Sequence, residues 1–360
     1  MFVNWSTSYA CIGFLMNTRM SSMKILLIKM SSMGDVVHAM PALTDILRHH
    51  PDATVDWVVE QGFADLVRAN APLVRRVLPI RLRAWRKKWR DVQTRQEWRA
   101  FKATLQAETY DVVIDCQGLL KSAAVSRMAK LAPNGRRVGF DRRSIRESLA
   151  RYFYNETYAV SSQLPAVTRN RQLCAQALHY SIDGEAPQVN LPSLLQYAAP
   201  RDDWQNPTEP YVVLIPNASR VEKRWAMANW HAVAAQCHAA GLRTVWFWGG
   251  ADELSYTQEL LAGLPHEVFV DAVLPPFLTI PQAAMCIEKA VCVIGLDSGL
   301  THLSAALGKP TLGIYCDHDA RLAPITAHAQ GDAFVASLGG IANPPSLASV
   351  QTVLNRWLVA

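Results

Sequence analysis

The chain has 360 residues, with 36 Lys and Arg against 30 Asp and Glu and a formal net charge of +6. That length suits two domains of ordinary size, half of the residues are hydrophobic, as in a globular protein, and no apolar run reaches the roughly 18–20 residues of a membrane span. The positive excess admits an anionic partner without choosing between a nucleotide, a phospholipid surface and a nucleic acid, and the seven cysteines, an odd number with no CxxC pair, read as small core residues in a reducing compartment.

The first strong signal is a short apolar run, Ile25 to Ile28, a small polar turn, Ser31-Ser-Met-Gly-Asp35, and then Val36, Val37, Met40, Leu43, Ile46 and Leu47 at helical spacing. This is a buried strand, a glycine turn and a helix, the first βα unit of an α/β domain. The turn lies at the carboxyl end of the strand, where open α/β sheets bind ligands. Asp35 is therefore well sited for chemistry, although a carboxylate there can also merely hold the Ser31–Gly34 turn. Thr54 to Val59 alternates as a strand, Phe63 to Ala69 reads as a helix, and Val74 to Ile80 as a further short apolar segment.

Arg81-Leu-Arg-Ala-Trp-Arg-Lys-Lys-Trp-Arg90 holds the densest charge in the chain. It reads as a solvated basic helix, as a nucleic-acid surface with interleaved Trp, or as a contact for an acidic, phosphorylated substrate at a membrane surface. The spacing favours the third: Arg83, Arg86, Lys87 and Arg90 share one helical face, with Trp85 and Trp89 on the opposite flank. Tyr110 to Gly118 is a buried strand with Asp115 and Gln117 at its carboxyl end, Asp115 either facing the cleft or capping the next turn. A helix over Leu119 to Leu131 and an edge strand over Arg136 to Phe140 follow, then arginines at 142, 143, 146, 151, 169 and 171.

Ser181 to Pro210 is rich in proline and reads as an interdomain linker. After it the strand–helix rhythm restarts, which implies a second parallel sheet. Strands are expected at Tyr211 to Pro216, Thr244 to Phe247, Val268 to Val270, Val291 to Ile294 and Thr311 to Tyr315. Helices are expected over Asp252 to Leu264, Ile280 to Ala290, Leu300 to Leu307 and Leu347 to Leu358. The expected division is thus an extension, 1–22; a first domain, 23–185; a linker, 186–210; a second domain, 211–345; and a C-terminal helix within 346–360.

Two stretches of the second half carry chemistry. In Asn217-Ala-Ser-Arg-Val-Glu-Lys-Arg-Trp225, Ser219 offers a hydroxyl, and Arg220, Lys223 and Arg224 offer charge to a phosphate. In Gly295-Leu-Asp-Ser-Gly-Leu-Thr-His302, a strand turns into a helix whose N-terminus is a ready anion site. Ser298 and Gly299 let the backbone approach a pyrophosphate, Asp297 fixes the loop or meets sugar hydroxyls, and His302 is either a phosphate donor or structural. Glu253, at another strand-to-helix junction, suits a ribose diol or simple stabilisation of the first helical turn. Phe277 reads as core or as an adenine-pocket wall.

Lys29-Met-Ser-Ser-Met-Gly-Asp-Val-Val-His-Ala-Met-Pro-Ala-Leu43 and the Asp-Ser-Gly-x-x-His-Leu-x-x-Ala-Leu pattern from Asp297 to Leu307 resemble the lipopolysaccharide heptosyltransferase I family. The resemblance runs from Met23 to about residue 345, so residues 1–22 are expected to be a start-site artefact or a disordered tail. It implies the glycosyltransferase-B fold, two Rossmann-like α/β domains facing a central cleft, with the last helix packed back on the first domain. It implies transfer of L-glycero-D-manno-heptose from ADP-heptose to the Kdo of Kdo2-lipid A, with inversion and with Asp35 as general base. Lys223 and Ser219 would meet the donor diphosphate and sugar, Glu253 the ribose and Phe277 the adenine. Asp297, Ser298, Gly299 and His302 complete the donor site, while Ser32, Met33, Gly34, Arg83, Arg86, Lys87, Gln117, Arg146 and Arg169 form the acceptor side. The family usually has two adjacent hydroxyl residues where this chain has Ala218 and Ser219, so one donor hydrogen bond is missing or replaced.

No Asp/His cluster has metal spacing, so no cofactor or bound metal is expected. The expected protein is a cytoplasmic monomer, peripheral on the inner face of the inner membrane through its basic patch, and not a nucleic-acid binder. The alternatives are a heptosyltransferase acting on a later core sugar and, in other classes, a dinucleotide-dependent oxidoreductase or a nucleic-acid-binding protein. No GxGxxG joins the first strand to its helix, which counts against the oxidoreductase.

Overall fold

The computed structural model describes residues 22–71, 73–189, 191, 193–218, 220–326 and 334–358. All but Ser22 of the expected N-terminal extension, and Ser219, lie outside these residues. The first half builds a six-stranded sheet from β1 (Lys24–Ile28), β2 (Thr54–Glu60), β3 (Arg76–Ile80), β4 (Thr109–Asp115), β5 (Lys130–Phe140) and β6 (Glu156–Tyr158), in the order β3-β2-β1-β4-β5-β6. The second half builds another from β7 (Tyr211–Ile215), β8 (Arg243–Trp246), β9 (Ala272–Val273), β10 (Val293–Leu296), β11 (Thr311–Tyr315) and β12 (Val335–Gly339), in the order β12-β11-β10-β7-β8-β9. Counted within its own half, each sheet has the doubly wound Rossmann order, and each pairing is parallel.

Strand β1 lies between β2 and β4, with Ile25 beside both Val55 and Val112. Helices cover both faces of such a sheet, so both faces of the strand must be apolar, and Ile25, Leu26, Leu27 and Ile28 are all fully buried. The same constraint makes β7 an uninterrupted apolar run. Strand order reverses between β1 and β4, and again between β7 and β10. Ligands bind outside the carboxyl ends of strands at such switch points. The turns after β1 and β10 are therefore the expected floor of a site, and here they face one another. The two halves meet through the helices Ile280–Lys289 and Gly299–Ala306, whose Ala284, Leu303 and Ala306 belong to a core shared with Val36, Val37 and Met40.

Four expectations change. Residues 136–140 are not an edge but the end of an eleven-residue interior strand, and the edge is β6, whose three residues are too few to show a pattern. Because β5 starts at Lys130, the preceding helix stops at Met128. Val268 to Val270 is not extended: His266–Phe269 is a helical turn in which Val268 is buried while Phe269 and Val270 are exposed, and the strand lies just beyond, at Ala272–Val273. The last helix, Leu347–Leu358, packs on the second domain and not back on the first. Its Val350, Leu354 and Trp357, spaced four and three apart, join the core of Trp225, Trp230 and Val233. Gln236 donates to Asn355 (2.7 Å), and the Trp225 indole to the Pro345 carbonyl (2.9 Å).

Among the described residues no helix is long and apolar enough to cross a membrane. Among its described residues the segment 186–210 contains one short 3-10 turn, Leu194–Tyr197. The docking of the last helix has a measurable consequence. Trp357→Ala should cost the second domain about 3 kcal/mol, seen as lost amide-exchange protection in the helix Met227–Ala239 with the first sheet unchanged.

Candidate active site

A cleft of about 780 Å³ runs between the carboxyl ends of the two sheets. From the first domain it is walled by Ser32, Met33, Gly34, Asp35, Arg146 and Arg169, and from the second by Lys223, Glu253, Asp297, Ser298, Gly299 and His302. The domains approach most tightly at Gly34 and Gly299. A Cβ on Gly299 would lie 2.7 Å from Met33 Cβ and 2.9 Å from the Gly34 nitrogen, so no side chain fits there.

Asp35 is the third residue of the helix Met33–Val37, and its carboxylate reaches back to the N-cap. Oδ2 accepts from the Ser32 N–H and the Ser32 hydroxyl, each at 2.9 Å. Oδ1 stands 3.6 Å from Lys29 Nζ, a buried ammonium that also donates to the Cys116 carbonyl. Burial works against charge on Asp35. The Lys29 cation and the two Ser32 bonds outweigh it and hold the carboxyl below its ordinary range. Asp35 therefore both holds its turn and presents a charged oxygen to the cleft.

On the facing wall Asp297 gathers a lysine and two histidines. Lys223 Nζ donates to Oδ2 at 2.9 Å, His302 Nε2 lies 3.3 Å from Oδ1, and His318 Nδ1 lies 3.5 Å from Oδ2. Burial raises the Asp297 carboxyl, but His302 and Lys223 pull it far below the ordinary range. Asp297 thus fixes Lys223 at the cleft. Ser298 is the N-cap of Gly299–Ala306, its hydroxyl accepting from the Thr301 N–H. Glu253 lines the cleft, with its Oε2 accepting from the Gly249 N–H (2.7 Å).

Other expected residues stand elsewhere. Gln117 braces the turn from beside it, accepting from the Met30 N–H (2.8 Å) and donating to the Ser31 carbonyl (2.7 Å). Asp115 caps its own turn, accepting from the Gln117 and Gly118 N–H groups and from the Tyr154 hydroxyl. Arg83, Arg86 and Lys87 line a second hollow of about 770 Å³, with Lys121 and three tryptophans, 85, 89 and 98. Their helix is only Leu82–Lys87, so Trp85 is buried against Trp98 while Trp89, beyond the helix end, is 64% exposed. Phe277 is half exposed and meets the cleft only through Trp248, edge to face at 5.9 Å. Arg224 lies over the Tyr256 ring and not in the cleft. Arg169 does line the cleft, donating to the Ser144 carbonyl (2.7 Å) with its guanidinium over Phe140.

Sequence reasoning missed His38 and His318. His38 is buried, its Nε2 has no hydrogen-bond partner, and its ring meets the His302 ring edge to face at 4.4 Å across the domain junction. Burial and the nearby His302 push it well below the ordinary histidine range, so it is neutral at pH 7. The only sequence signal was its position one turn after Asp35.

Two facing Rossmann-like domains, with a charged carboxylate on one wall of the cleft and a lysine beside a helix N-terminus on the other, are the layout of a two-domain glycosyltransferase. Residues 98–336 match glycosyltransferase family 9 (heptosyltransferase). The chain is 40% identical over 295 residues to lipopolysaccharide heptosyltransferase 1 of Pseudomonas aeruginosa, covering 81% of this chain and 78% of that one. It is similar in structure to E. coli heptosyltransferase WaaC solved with ADP, with a TM-score of 0.78 at 33% identity over 93% of this chain and 99% of that one. It is similar also to WaaC solved with ADP-2-deoxy-2-fluoro heptose, with a TM-score of 0.74 at 32% identity over 93% and 99%. The chain belongs to glycosyltransferase family 9, the heptosyltransferases.

Two outcomes follow from the geometry. Gly299→Ala drives a Cβ into the Met33 side chain and the Gly34 backbone, so the cleft should open. Small-angle scattering should report a larger radius, and kcat/KM should fall at least about tenfold. Because the folded-state Asp35 carboxyl is depressed, it stays charged down through the ordinary range near about 4, and activity needing that charge is lost only below it. The acid limb of kcat/KM against pH should lie below about pH 4, and Lys29→Met should move it upward.

Proposed function

We propose that this enzyme moves L-glycero-D-manno-heptose from ADP-heptose to a hydroxyl of the Kdo in Kdo2-lipid A, a step in lipopolysaccharide inner-core synthesis. The observation that carries the mechanism is the placement of Asp35 and the Lys223–Gly299 anion site on opposite walls of one cleft. A donor with its diphosphate at the second-domain wall presents its anomeric carbon toward Asp35.

In this reading the acceptor hydroxyl attacks that carbon from the face opposite the diphosphate, Asp35 takes the hydroxyl proton, and the electron pair of the breaking bond leaves on ADP. Configuration inverts. A base of this kind contributes about 10²–10⁴ in rate. Lys223 and the N–H groups of Gly299–Ala306 meet the charge that develops on the diphosphate. A phosphate competes with Asp297 for Lys223, so donor binding draws on an ammonium already held in place. With that positive potential in the protein itself, the proposed chemistry calls for no resident metal or cofactor. Glu253 suits the ribose diol and Trp248, backed by Phe277, the adenine. Arg146 and Arg169 face the acid groups of Kdo, and Arg83, Arg86 and Lys87 the phosphorylated part of the acceptor. The enzyme acts as a monomer peripheral on the inner face of the inner membrane, its 81–90 stretch against the lipid surface and no nucleic acid involved.

Heptose transfer from ADP-heptose to Kdo2-lipid A should be measurable with the wild type. Asp35→Ala should lower it by about 10²–10⁴ while ADP binding persists. A mutant near full rate would remove Asp35 as base. A folded wild type that binds ADP but transfers nothing would point to another acceptor, such as a later core sugar.

A further inference from the structure

The loops after β3 and β5 leave the same carboxyl end of the first sheet, four strand spacings apart, which is roughly 19 Å. Each ends in the same device. In the first, Trp89 is exposed and carries the Arg90 guanidinium over its ring at 4.9 Å. In the second, Tyr152 is 69% exposed and carries Arg151 at 5.5 Å, with Leu149 61% exposed just before it. The loops are linked through the helix after β4. The Leu120 N–H donates to the Glu147 carboxylate at 2.6 Å, and Lys121 lines the hollow that holds Arg83 and Arg86. Residues 81–90 hold six cations and no carboxylate, and residues 142–151 hold four arginines and one glutamate.

Large apolar side chains left out of the core, among cations, mark a contact surface. Three occupants compete. A second copy would set one cationic face against another, which repels. A nucleic acid would stack on the aromatic rings but has no use for Leu149. A phospholipid surface uses every part: aromatic rings at headgroup depth, an aliphatic side chain below them, and arginines on lipid phosphates.

We propose that Ser148–Phe153 is a second membrane contact, which together with the 81–90 loop seats the first domain on an anionic phospholipid bilayer. The proposal rests on the lipid-linked acceptor argued above. One contact would leave the enzyme free to rock on the surface. Two, on either side of the sheet's carboxyl end, fix the orientation in which the Ser31–Asp35 turn approaches an acceptor embedded in the same bilayer.

The test is co-sedimentation of the full chain with vesicles of phosphatidylethanolamine and phosphatidylglycerol, comparing wild type with Leu149→Ser/Tyr152→Ser. Both side chains are exposed, so the variant folds as the wild type does. Wild type should bind and be released as salt rises. The variant's partition should fall at least about tenfold, while heptose transfer to a water-soluble, deacylated acceptor stays unchanged. Equal partition of the two proteins would overturn the contact, as would a wild type that ignores vesicles or dimerises through this face. Transfer failing in both proteins while the vesicle difference holds would remove the acceptor reading and leave the contact standing.

Discussion

The reaction centre depends on how closely two backbones approach, those of Gly34 and Gly299. Gly299 has no room for a side chain on the side facing Met33 and Gly34, while a Cβ on Gly34 would just touch Gly299 and His302. Asp35 follows the first glycine and Ser298 precedes the second, so their contact sets the distance between the Asp35 carboxylate and the N-terminus of the helix Gly299–Ala306. It also brings the His38 and His302 rings together and lets Leu303 and Ala306 complete the core of the first domain. A hinge elsewhere in the chain could not do this. The glycines lie at the carboxyl ends of β1 and β10, where each sheet reverses its strand order and leaves its crevice.

Asp35 and Asp297, on opposite walls of the cleft, are both charged, for different reasons. Burial disfavours charge on each, and each is rescued by a nearby lysine and by hydrogen bonds. Asp35 has Lys29 on one oxygen and the Ser32 cap on the other, all from its own turn, so its state does not depend on the second domain. Asp297 has Lys223 and His302, which are also the groups able to meet a diphosphate. An arriving anion therefore disturbs the Asp297 cluster and leaves the Asp35 cluster intact. A carboxylate held low is a weak base in water, and the proposed transfer asks no more of Asp35, because an attacking hydroxyl becomes acidic as its oxygen bonds to carbon.

Residues that act within one turn were legible in the sequence. Asp35, Ser298, Gly299 and His302 follow directly from strand–turn–helix patterns, and each stands at the cleft. Residues whose role depends on a neighbour far along the chain were not. His38 needs His302, and His318 needs Asp297, so the role of neither could be read from its own stretch. Gln117 lies at the end of the right strand, yet its amide turns to the Met30–Ser31 backbone and not to the cleft. Trp85 and Trp89 share a helical face on paper, but the helix ends at Lys87, so one enters the core and the other faces outward.

The sequence by itself determined that there are two parallel sheets, where their central strands lie, and which turns carry chemistry. Uninterrupted apolar runs such as Ile25 to Ile28 have no other stable use than burial between flanking strands, and the polar turns after them have nowhere to go but the sheet's end. Only the tertiary structure decided which surfaces those elements meet. The last helix has an apolar stripe of Val350, Leu354 and Trp357 that would suit either domain. The tryptophan cluster of the second took it, because its hydrogen bonds from Gln236 and Trp225 were within reach. Periodicity says that a face must be buried, but shape and hydrogen-bond partners, contributed by residues far away in the chain, say against what.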